Sequence, residues 1–268
     1  MQDRIYGHDL PEALASTGAD AAIILGSGLG YLTDDFENSV KFDFSEIPGF
    51  PESTVEGHSG QLVIGDFAGK CVIGLRGRFH YYEGHTIDDV VAPVRLFAQL
   101  GVRKLIITNA SGAINCSYSP GDIVGVVDYI NFGLKSPLSS SVAEEERSPA
   151  RVITPIDMTW LERTEAKLRE FDIELRRGTY TWVLGPTYET PAEIKAFQKL
   201  GGDMVGMSTV PEISTAVSLG MGVLVFSCIT NFASGITSEK LSHNEVVSAA
   251  NKARQRFSQV VRVALEEM

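Results

Sequence analysis

Residues 20–32 read DAAIILGSGLGYL: an apolar run, a glycine-rich turn, then an aromatic. AAIIL is short, uninterrupted and cut off at Gly26, which predicts a buried strand over 20–25. The turn after it decides between two kinds of α/β fold. A glycine-rich turn after a strand can bring backbone N–H groups up to a phosphate. GSGLG therefore invites a dinucleotide-binding reading, with Asp43 at the end of the next strand as a ribose ligand. Two features reject it. Tyr31 stands where the third glycine of GxGxxG belongs, and the run from Gly30 to the strand expected at 37–44 is too short for a crossover helix. By itself the turn reads equally as a tight turn, with the Ser27 hydroxyl among exposed amides.

Outward from this stretch, apolar β-rich runs alternate with helical patterns. Strands are expected at 20–25, 37–44, 61–67, 70–76, 102–108, 121–131, 173–184 and 222–230, and helices at 86–100, 159–170, 191–200, 211–219 and 243–266. QLVIGDF and KCVIGLR, joined by Ala68-Gly69, form a hairpin pattern. Thr190-Pro191-Ala192-Glu193 carries an N-cap, a proline at the first helical position and a capping-box glutamate. Ser242-His243-Asn244-Glu245 resembles it and sets His243 in the first turn of the last helix. Hairpins mixed with crossovers predict one α/β domain over 1–268, a mixed sheet flanked by helices. The polar, turn-rich run SPLSSSVAEEERSPAR at 136–151 reads as a surface loop.

Composition narrows the partners. The chain of 268 residues carries a formal charge of −11, with 44% hydrophobic and 21% charged residues, which is ordinary for a globular protein with a sizeable core. Nothing basic suits a nucleic-acid backbone. GMGVLVFSCIT at 220–230 is far short of the ~20 apolar residues a membrane span needs. The opening MQDRIYGHDLPEALAS lacks an apolar signal core. Cys71, Cys116 and Cys228 are odd in number and widely spaced, as expected of reduced thiols in the cytoplasm.

Against that acidic background LRGRFHYYEGH at 75–85 stands out, with two arginines, two histidines and two tyrosines in eleven residues. It reads either as a strand end running into a turn or as a site for an anion. Other strand exits carry similar ambiguity. TNASGAIN at 108–115 leaves small residues, Ala110 among them, whose backbone a ligand can approach, or is a plain loop exit. GHSG at 57–60 sets His58 between glycines. GPTYETPAEI at 185–194 places Tyr188 and Glu189 ahead of a capped helix, where Glu189 is either a solvated acid or an acceptor for ligand N–H groups. In GMSTVPEI at 206–213, Ser208 and Thr209 stand at a helix start, as an anion seat or as simple caps. SCITNFASG at 227–235 presents Asn231, whose amide both donates and accepts and so suits a heterocycle edge as well as a turn.

Taken in order, GSGLG, GHSG, GRFHYYEG, TNASG, GPTYETPAE, VGMSTVPE and ITN resemble the trimeric, low-molecular-mass class of purine nucleoside phosphorylases, from about residue 20 to 265. The resemblance implies a partly barrel-like sheet and a homotrimer with sites near subunit interfaces. It assigns phosphate to Ser27, His58, Arg78, His80, the Ala110 amide and Ser208. It assigns the ribose to Tyr82, Met207 and His243, and the purine to Tyr188, Glu189 and Asn231. Glu189, Asn231 and His58 are the implied catalytic residues. The implied reaction is reversible, in purine salvage: a purine nucleoside and orthophosphate give the free base and α-ribose 1-phosphate. Orthophosphate is a co-substrate, and no cofactor or metal is implied.

Two departures stand out. The family's neighbour-subunit aromatic falls within EEERSPARV at 144–152, which has none; an aromatic introduced at Arg147, Ser148 or Pro149 is expected to improve nucleoside KM. The arginine-histidine pair usual in the helix after STVPE is replaced by Ala216-Val217 and their neighbours. A methylthioadenosine phosphorylase would need an aspartate near 231, where asparagine cannot protonate N7. Xanthosine as substrate, and a nucleotide-binding protein without phosphorolysis, stay open at this point.

Overall fold

The computed structural model describes residues 10–51, 60–138, 155–237 and 243–268. The apolar run after Asp20 forms β1 (Ala21–Leu25), with every side chain buried. β2 (Glu37–Asp43), β3 (Gln61–Phe67) and β4 (Lys70–Arg76) come next, then β5 (Lys104–Ala113), β6 (Ile123–Asn131) and β7 (Arg176–Trp182). A three-residue β8 (Met204–Gly206) and β9 (Gly222–Phe232) complete the set. A short α1 (Glu12–Ala15) precedes them. α2 (Ile87–Gln99), α3 (Met158–Leu168), α4 (Pro191–Lys199), α5 (Val210–Ser218) and α6 (His243–Glu266) are the remaining α-helices among the described residues.

The described strands form one sheet in the order β2-β3-β4-β1-β5-β8-β7-β6-β9, with an additional pairing of β5 to β9. That last pairing closes β5, β8, β7, β6 and β9 into a ring, so half of the sheet is a small barrel. β1 is parallel to both β4 and β5, while β5–β8 and β6–β9 run antiparallel. The sheet is mixed and partly barrel-like, as expected.

Helix starts obey their local signals. Thr86 accepts from the Asp89 N–H at 3.1 Å and its own N–H donates to Asp89 at 2.8 Å. Thr190 and Glu193 repeat the exchange at the start of α4, at 3.3 and 2.7 Å. Helices cover the sheet: Trp160 of α3 donates its indole N–H to the Ala264 carbonyl of α6 at 2.7 Å, deep in the core.

Three expectations need correction. TNASG is not a loop exit, because β5 runs on to Ala113, held beside β9 from Lys104↔Gly222 to Ala113↔Phe232. β8 was not expected; three residues carry no periodicity, and its strand geometry comes from β5 and β7 on either side. The turn after β1 continues as a 3₁₀ helix over Gly30–Asp35. Much of the run 136–151 lies outside the described residues, as do Arg147, Ser148 and Pro149.

Candidate active site

β1, β4 and β5 are parallel neighbours, so their carboxyl ends leave the sheet at one edge, where α/β folds place ligands. Leu25 pairs with Arg76, and the Gly77 N–H donates to the Leu25 carbonyl at 3.2 Å. The turns after Leu25 and Arg76 therefore sit side by side. Gly26 is pressed against β5. A Cβ there would meet the Thr108 carbonyl oxygen at 2.8 Å and Asn109 Cα at 2.9 Å, too close for any side chain. Its N–H is taken by Thr108 Oγ1 at 3.1 Å, so this amide at least is not bare, contrary to expectation. Ser27 is half-buried beyond it.

Arg78, two residues past β4, turns back under this edge and is 2% exposed. Its Nη1 donates to Ser208 Oγ at 2.8 Å and lies 3.4 Å from Thr209 Oγ1; its Nη2 donates to the Thr108 carbonyl at 2.9 Å. Its Nε lies 3.4 Å from Glu212 Oε1, also 2% exposed. Burial raises the Glu212 pKa, against the lowering influence of the Arg78 charge and a backbone N–H from Thr209. Sequence reasoning missed Glu212, because an acid in the first turn of a helix is expected for the helix dipole alone. Of the two readings open for Thr209, anion seat or simple cap, the cap is not made: its side chain has no cap hydrogen bond. Its φ of +80° is strained for a β-branched residue and turns the hydroxyl inward to Arg78 and Asn109.

His80 and Tyr82 belong to one cluster. Their rings stack with centroids 4.8 Å apart. Glu83 Oε1 accepts the His80 N–H at 2.8 Å and contacts Nδ1 at 2.7 Å, fixing the ring. Burial lowers the His80 pKa, partly offset by that Glu83 hydrogen bond, so near neutral pH the ring is mainly uncharged. Desolvation pushes the Tyr82 phenol up to about 12, which keeps its proton in place. Tyr82 and Met207 converge on Gly185: a Cβ there would lie 3.1 Å from Tyr82 Cδ1 and collide with the Met207 sulfur.

Asn231 lies near the end of β9, beside Gly112 of β5. Its Oδ1 accepts from Thr230 Oγ1 at 2.8 Å and its Nδ2 donates to the Phe232 carbonyl at 2.9 Å, which fixes the amide's orientation. Gly112 leaves room for that amide, since a Cβ would approach Nδ2 to 3.3 Å. Two residues before Gly112 on the same strand, Ala110 is half-buried and pairs with Cys228 on β9.

Glu189 stands ahead of α4, and burial raises its pKa. Gly235, just past β9, packs on Pro191, where a Cβ would meet the proline ring at 2.7 Å, so the Glu189 and Asn231 segments meet. Tyr188 is 52% exposed. His243 begins α6; its side chain, His58 and the segment 144–152 lie outside the described residues.

A family model described as the phosphorylase superfamily matches residues 20–266. The chain belongs to that superfamily. Within it, purine nucleoside phosphorylase 1 of Bacillus subtilis is 43% identical, over 100% of this chain and 99% of its own. Purine nucleoside phosphorylase of Bos taurus is 41% identical, over 90% and 86%. A crystal structure of schistosoma purine nucleoside phosphorylase in complex with hypoxanthine superposes with a TM-score of 0.86, at 33% identity, covering 94% of this chain and 91% of that one.

Proposed function

We propose that this superfamily member catalyses the reversible phosphorolysis of purine nucleosides of the inosine and guanosine type. The observation that carries the reading is Arg78, a buried guanidinium held against Ser208 at the edge where the Gly26 turn and β5 meet. The relatives named purine nucleoside phosphorylase and the neighbour's hypoxanthine complex support the purine half. Orthophosphate binds among Ser27, His58, Arg78, His80, the Ala110 amide and Ser208. Tyr82, Met207 and His243 line the ribose, and Tyr188, Glu189 and Asn231 hold the base.

C1′ becomes oxocarbenium-like as the bond to N9 breaks, as in other glycosyl transfers. Phosphate on the opposite face stabilises that cation and then bonds to it, so no protein nucleophile is required. The leaving purine gathers negative charge. An N–H of Asn231 donated to N7 or O6 strengthens as that charge develops, which lowers the barrier rather than only tightening binding. Glu189 accepts from N1–H. The reaction uses no resident cofactor or metal. Base release from inosine should appear only when orthophosphate is added; equal release without it would overturn the phosphorylase reading.

Assembly as a homotrimer is part of the same proposal. Leu134 is 87% exposed, Leu200 60% and Phe132 45%, and Phe132 packs edge-on against Phe197 with centroids 4.8 Å apart. Lys135, next to Leu134, lies 5.5 Å over the Tyr81 ring, so this apolar surface adjoins the turn that carries Tyr82. A second copy covering it would come close to the sugar. Light scattering should report a trimer for the wild type and smaller species for Leu134→Glu; a fully active wild-type monomer would sink the interface site. Free Cys71, Cys116 and Cys228 fit a reducing, cytoplasmic setting.

A further inference from the structure

Three hydroxyls meet beside Arg78: those of Ser208, Thr209 and Tyr180. Thr209 and Tyr180 are 0% exposed, while Ser208 retains 9%. The N–H groups around them can only donate. Arg78 Nη1 donates to Ser208 Oγ at 2.8 Å and lies 3.4 Å from Thr209 Oγ1. Asn109 Nδ2 donates to Thr209 Oγ1 at 3.0 Å, and the Ser208 N–H lies 3.4 Å from the Tyr180 oxygen. Burial raises the Tyr180 pKa, so the phenol keeps its own hydrogen.

The hydrogens can then be counted. Ser208 and Thr209 share one hydroxyl hydrogen between their two oxygens, and the other hydrogen must leave the pair. Thr209 Oγ1 faces two donors, Asn109 Nδ2 and Arg78 Nη1, which take both of its lone pairs, so it donates across the 3.1 Å to Ser208. The Ser208 oxygen thus receives both Thr209 and Arg78. Its own hydrogen is left to point away from them, and Ser208 is the member of the three that reaches the surface.

Asn109 sets this direction. Its Oδ1 accepts from Ser227 Oγ at 2.6 Å, and Ser227, having spent its hydrogen, accepts from Ser111 Oγ at 2.6 Å. The amide nitrogen is thereby turned to Thr209. With the amide reversed, its carbonyl would take the Thr209 hydrogen, Thr209 would take that of Ser208, and the outward donor would vanish.

We propose that Asn109, 1% exposed and locked by Ser227, is a positioning residue that orients the hydroxyl chain so that Ser208 presents its hydrogen to the bound phosphate. This rests on the phosphorylase reading. A double-mutant cycle separates the two. Ser208→Ala should raise the phosphate KM about tenfold, the size of one hydrogen bond to a charged group. Asn109→Leu and Thr209→Val should each raise it roughly three- to tenfold while leaving nucleoside KM within about twofold, and Thr209→Ser should stay near wild type. In the Ser208→Ala background both should add nothing.

A purely structural role for Asn109 would keep its effect in that background, and such an additive cycle overturns the inference. So does an unchanged phosphate KM in both Asn109→Leu and Thr209→Val. If Ser208→Ala alone leaves phosphate KM unchanged, the phosphate assignment of Ser208 fails and the inference falls with it. Should Asn109→Leu fail to fold, the Thr209 pair carries the same cycle.

Discussion

Arg78→Ala should raise the phosphate KM roughly 30- to 150-fold, the equivalent of about 2–3 kcal/mol for a charge-assisted contact in a desolvated site. The same substitution should also destabilise the fold. Glu212 is 2% exposed and pairs with the Arg78 guanidinium, so removing Arg78 leaves a buried carboxylate without its cation. Breaking one side of a buried pair costs about 3–5 kcal/mol. The penalty depends on pH. Burial already raises the Glu212 pKa above its ordinary 4.5, and losing Arg78 removes a lowering influence. A carboxyl whose folded pKa is raised contributes stability below its unfolded value and loses it as pH rises toward the folded one. Denaturant melts of Arg78→Ala should therefore deviate most from wild type above that interval and least in acid.

Glu212→Gln in the Arg78→Ala background should recover much of the stability and none of the phosphate affinity. Lysine at position 78 should restore phosphate use only in part, since it lacks the planar fork that reaches Ser208 and the Thr108 carbonyl together. A phosphate titration of Arg78→Ala that matches wild type would remove Arg78 from the site. Stability unchanged at neutral pH would show that the Glu212 pair contributes nothing to the fold.

The sequence makes some of this legible and hides the rest for physical reasons. β3 and β4 match their expected bounds because a hairpin is local: apolar runs meet at Ala68-Gly69, both at positive φ. The span expected for the last helix is met too, since its periodicity is long. β8 and the far half of β5 owe their geometry to strands distant in the chain, and their own residues suggest loops. Site residues on motifs, such as Arg78, His80 and Ser208, stand out because charge or small size is odd where they occur. Asn109, Tyr180 and Glu212 do not. Each reads as an ordinary strand, loop or helix residue until folding brings it against Arg78, Ser208 or Thr209.

The base preference should rest on Glu189 and Asn231. Glu189→Ala is expected to lower kcat/KM for inosine roughly 10²-fold or more, as when a transition-state hydrogen bond is lost. Burial raises the Glu189 pKa, and the ionised carboxylate is the stronger acceptor for N1–H, so inosine cleavage should rise with pH along a limb above the ordinary glutamate value of 4.5. Glu189→Gln should remove that limb along with most of the activity. Asn231 works at the other edge of the base. Thr230 and the Phe232 carbonyl hold its amide by opposite ends, leaving one Nδ2 hydrogen over. Asn231→Asp should impair inosine and shift preference toward 6-aminopurine nucleosides, because a protonated carboxyl can donate to N7 of adenine. Kinetics with inosine, guanosine and adenosine decide the matter: adenosine as the best wild-type substrate would overturn the roles given to both residues.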